Sequence, residues 1–267
     1  MTNFSASARP LRVLMVHNRY QIRGGEDESF DAERDLLRSG GHEVECYVRD
    51  NREIEERPRL RTVADTFWSQ GSRRDVEGIL GRGGFDVMHV QNSFPLISPS
   101  IFGAARKAGV AVVQTLRNYR PFCVNGFLMR DGQICELCLG EDIGWGGVRH
   151  GCYRGSRVAS AVVTAANAFH RARATWIREV DRFIVASEVT MKKFREGGFP
   201  SARMRLKPNV MPALPDLEAG DRQRRAIFVG RLSEEKGVRQ MVDAWMTGVD
   251  VPLEIVGSGP LADELAE

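Results

Sequence analysis

Apolar runs of strand length alternate along this chain with segments whose apolar residues recur at helical spacing. The runs from Arg12 to His17, Glu43 to Val48, Asp86 to Val90, Val110 to Thr115, Arg182 to Ala186 and Met204 to Lys207 predict strands. Asp27 to Arg38 and Ser98 to Lys107 predict helices, each followed by a glycine, Gly40 and Gly109, suited to closing it. Strand and helix in alternation predict an α/β fold with a mainly parallel, doubly wound sheet. In such a sheet, ligands sit beyond the carboxyl ends of the strands. The proline-rich Pro208 to Pro215 and the charged Asp216 to Arg225 read as a linker, dividing the chain into domains 1–215 and 216–267. The second of these holds two strands and little more, and it ends in helix-like sequence without a C-cap. The expectation is therefore a truncated chain with an incomplete second domain.

Composition narrows the class only a little. The chain has 267 residues, of which 42% are apolar and 27% charged, as in ordinary globular proteins. A net charge of +3 gives no footprint for nucleic acid. No apolar run approaches the length of a membrane span, and Met1 to Pro10 lacks the apolar core of a signal peptide, so a cytoplasmic location is expected.

The densest chemistry lies in Phe228-Val-Gly-Arg-Leu-Ser-Glu-Glu-Lys-Gly-Val238. A strand runs into Gly230, Ser233 is placed to cap a helix, and Arg231 and Lys236 bring two cations to the same helix start, which suits a diphosphate. The alternative is a surface turn with two solvated cations. A second strand, from Leu253, ends in the turn Gly257-Ser-Gly-Pro260, with glycines at 257 and 259. Near the amino terminus, Gly24-Gly25-Glu26-Asp27 follows the first strand and opens a helix, allowing backbone amides close to a ligand.

Together these segments resemble the retaining glycosyltransferases of family 4, nucleotide-sugar enzymes with two facing Rossmann-like domains, the GT-B fold. The resemblance implies that Arg231 and Lys236 hold the donor diphosphate and that Gly257 and Gly259 belong to the same domain. It implies that Gly24, Gly25 and Glu26 approach the donor from the other side. The reaction implied is hexosyl transfer from a nucleoside diphosphate sugar to an acceptor hydroxyl with retention, in polysaccharide or glycolipid synthesis. No catalytic metal or other cofactor is implied, because Arg231, Lys236 and the amides near Gly25 serve the diphosphate. The family's glutamate pair, eight residues apart in the donor domain, has no counterpart in this sequence. Asp86-Val-Met-His-Val-Gln-Asn92 resembles a family segment with Gln91 where a second histidine often stands. Gln114-Thr-Leu-Arg-Asn-Tyr119 places Arg117 where the family usually has a histidine beside the donor sugar. Arg117 is thereby the catalytic candidate, although it cannot act as a neutral imidazole. His89 reads equally as a buried strand histidine.

That departure keeps a rival open, a non-catalytic protein that binds nucleotide sugars or glycans. A dinucleotide oxidoreductase is disfavoured by the absence of a G-x-G-x-x-G turn. Four cysteines, Cys123, Cys135, Cys138 and Cys152, fall in one insert around a C-x-x-C and suggest a structural zinc; packed thiols are the alternative. Cys46 reads as core. Ser156 to Glu179 predicts one long helix with an apolar stripe and flanking arginines. It suits either a core-facing helix or peripheral contact with the inner face of a membrane, where family members meet glycan or lipid-linked acceptors.

Overall fold

The computed structural model describes residues 9–209 and 223–266. They belong to two compact units, one formed by Met1–Gly126 and Glu136–Pro212, the other by Phe127–Cys135 and Ala213–Glu267. The predicted linker lies largely outside the described residues, as does the tail before Arg9.

The first unit follows the predicted alternation. Its elements are β1 (Arg12–Arg19), α1 (Gly25–Ser39), β2 (Glu43–Asp50), α2 (Arg59–Trp68), α3 (Gln70–Leu80), β3 (Val87–Asn92), α4 (Ser100–Lys107) and β4 (Ala111–Leu116). In the second unit comes a small antiparallel hairpin, β5 (Met129–Arg130) and β6 (Gln133–Ile134). The first unit resumes with α5 (Trp145–Arg149), α6 (Arg157–Ala172), α7 (Thr175–Glu179), β7 (Arg182–Val185), α8 (Glu188–Glu196) and β8 (Met204–Leu206). Six strands form one parallel sheet in the order β2-β1-β3-β4-β7-β8. The sheet is α/β and doubly wound, and the order reverses between β1 and β3, the kind of switch point beyond which such sheets bind ligands.

Burial explains the central strands. Val13, Leu14, Met15 and Val16 of β1 are all buried, as expected for a parallel strand covered on both faces. Phe30 of α1 packs with Val13, Met15 and Val44, and half-buried Cys46 adds to this cluster, as its core reading required. The predicted helix from Ser156 to Glu179 is two helices. Ala174 adopts a left-handed conformation, φ 52°, and starts α7 in a new direction. Helix α6 buries Val163, Ala166 and His170, while Val158 is exposed.

In the second unit, β9 (Ala226–Val229) and β10 (Leu253–Val256) pair in parallel across α9 (Val238–Met246). Leu232, Val238 and Leu261 are buried together, with Phe228, Met241 and Ile255 packed against them. Ser233 does not cap the helix. A short turn, Glu234–Lys236, intervenes, Gly237 with φ 66° begins α9, and the Ser233 hydroxyl instead donates to Glu235. Lys236 therefore precedes the helix.

Candidate functional site

Strand ends of the first unit gather an interlocked polar cluster. At the end of β1, His17 is fully buried, stacks on Phe30 and donates from Nε2 to Oδ1 of Asp27 at 2.9 Å. The other Asp27 oxygen accepts the Gly24 N–H at 3.0 Å. Burial alone would raise the Asp27 carboxyl, but the His17 and Gly24 hydrogen bonds outweigh it and hold the group below its ordinary range. Asp27 thus fixes the glycine pair to β1. A side chain at Gly24 or Gly25 would meet nothing within 4 Å, so the space over this helix start is open. Glu26 turns to Asn118, which donates to its Oε1 at 3.0 Å. Burial and the Glu26 carboxylate push the nearby Tyr20 phenol up.

Glu33, one turn after Phe30 on the buried face of α1, anchors the other half of the cluster. Its Oε2 accepts from Gln91 Nε2 at 2.6 Å, and its Oε1 lies 3.0 Å from Lys207 Nζ. Burial would raise its carboxyl, yet His89, Lys207 and Gln91 together keep it lowered. His89 itself is held below the ordinary imidazole range, chiefly by burial, with Glu33 opposing and Lys207 and Arg117 adding to the shift. It shares a 2.8 Å hydrogen bond with the Thr115 hydroxyl. This is the structural histidine that its strand position allowed.

Arg117 follows β4 and is part of this network. Its Nε and Nη2 both donate to Gln91 Oε1, at 3.0 and 2.6 Å, its Nη1 donates to Asn209, and Glu33 lies 3.6 Å away. Burial lowers the guanidinium, with Glu33 and Glu26 opposing. A guanidinium so held is a fixed positive charge with N–H donors and no proton-accepting atom. Gly24, Gly25, Glu26 and Arg117 therefore share one end of the sheet, and an open cleft reaches Gln91, Arg117 and Asn118.

The second unit holds the remaining candidates together. Arg231 and Lys236 are exposed, and among the described residues neither has a carboxylate at ion-pair distance, whereas neighbouring Glu234 is taken by Arg239. Gly257 and Gly259 lock the two loops: a Cβ at 257 would lie 1.8 Å from Gly230 O, and one at 259 would lie 2.2 Å from Leu232 O. Backbone hydrogen bonds from Gly230 to Val256 and from Leu232 to Ser258 hold that contact.

Cys123, Cys138 and Cys152 belong to the first unit and Cys135 to the second. Among the described residues, no three His, Cys, Asp or Glu side chains are grouped to hold a metal ion. Cys123 Sγ donates to Asn125 Oδ1 at 3.0 Å, and Cys138 Sγ to Gly144 O at 3.6 Å. Sequence reasoning also missed Glu33, Lys207, Asn209 and the His17–Asp27 pair. An acid on the apolar stripe that holds Phe30 was the one available signal for Glu33.

A family model described as a glycosyl transferase 4-like domain matches residues 33–210, two-thirds of the chain. The chain belongs to this family. Solved structures with the same fold include HepE of Anabaena in complex with UDP and glucose, at 14% identity and a TM-score of 0.52. That match covers 95% of this chain and 63% of HepE. The apo form of the lipopolysaccharide outer core galactosyltransferase WaaB matches at 12% identity and a TM-score of 0.50, again over 95% and 63%. At such identities the likeness shows the fold, GT-B, and this glycosyl transferase 4-like chain spans less than two-thirds of those structures. Curated proteins give no match. No helix among the described residues is long and apolar enough to cross a membrane.

Proposed function

We propose that this chain is part of a retaining family 4 glycosyltransferase, moving a hexosyl group from a nucleoside diphosphate sugar to an acceptor hydroxyl in polysaccharide or glycolipid synthesis. The observation that carries this reading is a pair of cations, Arg231 and Lys236, that have no ion-pair partner among the described residues and stand in and beside loops locked at Gly257 and Gly259. Two exposed cations without carboxylate partners among the described residues suit a diphosphate. HepE was crystallised with UDP and with UDP-glucose, which makes uridine nucleotides the first donors to try. On the first unit, Arg117 offers charge and N–H donors to the transferring sugar or its phosphate, while Asp27 holds the glycine pair in place. The acceptor is a glycan or a lipid-linked glycan met at the inner face of the membrane.

Calorimetry with UDP and UDP-glucose tests the donor site. Replacing Arg231 or Lys236 by alanine should weaken binding by about 1.5 to 3 kcal/mol, roughly tenfold to a hundredfold. Unchanged affinity in both variants would sink the assignment. Retention is read separately, from the anomeric configuration of the product by NMR.

A further inference from the structure

Alternation along β4 sends Thr115 toward His89 and Gln114 to the opposite face of the sheet, where it lines the cleft together with Trp176 of α7. Both side chains are buried, and among the described residues neither the Gln114 Oε1 nor the Trp176 Nε1 has a hydrogen-bond partner. Buried polar atoms are rarely left so, because each forfeits its hydration without replacement. One lacks a donor and the other an acceptor. Hydroxyl groups of a ligand in the cleft would supply both. Phe94 and Trp176 add apolar ring surface to its wall, as a pyranose ring requires.

The charge of the lining is one-sided. Arg117 and Arg120 line the cleft, and among the described residues no aspartate or glutamate does. Arg117 shares its charge with Glu33, but among the described residues Arg120 has no carboxylate at ion-pair distance. Its guanidinium donates to Val124 O at 2.6 Å and lies 4.4 Å from the centre of the Phe94 ring, so its position is fixed while its charge is unmet. A neutral sugar would satisfy Gln114 and Trp176 and leave Arg120 uncompensated. We propose that this cleft binds the acceptor through a sugar residue carrying an acidic group, a phosphate or a carboxylate. The inference rests on the glycosyl-transfer reading and adds the chemical class of the acceptor to it.

The test is binding of glucose, glucuronic acid and glucose 1-phosphate, followed by ligand-observed NMR and calorimetry with UDP at saturation so that the diphosphate site is filled. Both acidic probes should bind at least tenfold more tightly than glucose, and Arg120→Gln should erase that preference. Gln114→Leu and Trp176→Phe, which keep the shape of the wall, should weaken all three probes about tenfold while UDP affinity stays unchanged. Equal affinity for glucose and the acidic probes would overturn the proposal. So would unaltered binding in Gln114→Leu and Trp176→Phe, which would mean that water satisfies those two atoms. Failure of UDP itself to bind would instead strike the glycosyl-transfer reading, so the two failures are distinct.

Discussion

Arg117 gives two of its N–H groups to a single atom, the Oε1 of Gln91, at 3.0 and 2.6 Å. The same Gln91 donates through Nε2 to Glu33, so one carboxamide joins the buried acid to the guanidinium. Gln91→Leu should unhook both ends at once. Leaving buried charged groups short of a partner costs about 1 to 3 kcal/mol, and denaturant unfolding should show a loss of that size. Gln91→His, which restores the residue often found in the family, should recover less than half of the loss, since one imidazole cannot accept two guanidinium protons and donate to Glu33. A Gln91→Leu protein as stable as the parent would show that the network does not support the fold.

His170 supplies a pH dependence. Its Nε2 donates to Phe67 O at 2.7 Å, its Nδ1 faces the Thr175 hydroxyl at 3.1 Å, and the ring stacks on Trp68. Burial, opposed by the Phe67 carbonyl and aided by Arg173, lowers the imidazole from 6.5 to about 4. The unfolded chain therefore takes up a proton that the folded chain refuses. Stability is full above about pH 6.5, declines as pH falls toward about 4, and levels off below that, for a total on the order of 3 kcal/mol. Histidine NMR should show this ring neutral at pH 5.5. In His170→Gln the slope of stability between pH 6.5 and 4 should be shallower; an unchanged slope would assign the dependence to other groups.

The glycine loops of the second unit make a steric prediction. Alanine at 257 or 259 places its Cβ against a carbonyl oxygen of the facing loop, at 1.8 or 2.2 Å. The backbone must then separate, at a cost of about 1 to 3 kcal/mol. Hydrogen exchange should rise at Gly230 and Leu232, whose amides bridge the loops, while β1 and β3 keep their protection. Alanine at Gly24, where the added atom meets nothing, is the control and should leave stability within about 0.5 kcal/mol.

The parallel sheet was legible because its central strands are continuous apolar runs. Arg117 at a strand end and the Gly24–Gly25 helix start were legible for the same reason, since strand periodicity places both at carboxyl ends. What sequence spacing could not supply was pairing between distant segments. Glu33 reads as one more charge on an acidic helix until Lys207 and Gln91 are seen beside it. The break at Ala174 was hidden because an alanine in the left-handed region carries no local signature. C-x-x-C spacing specifies separation along the chain and not which loops come together in space.

The wiring of Glu33 also sets an order of assembly. As the chain is made from its amino terminus, α1 and β1 to β4 emerge long before Lys207 and Asn209, which follow β8 at the far edge of the sheet. Until then Glu33 lacks its lysine and Arg117 lacks the carboxamide of Asn209. A nascent domain ending near residue 200 would hold its acid half-compensated and its arginine half-tethered, so the strand ends reach their working charge balance only when the last strand of the sheet docks.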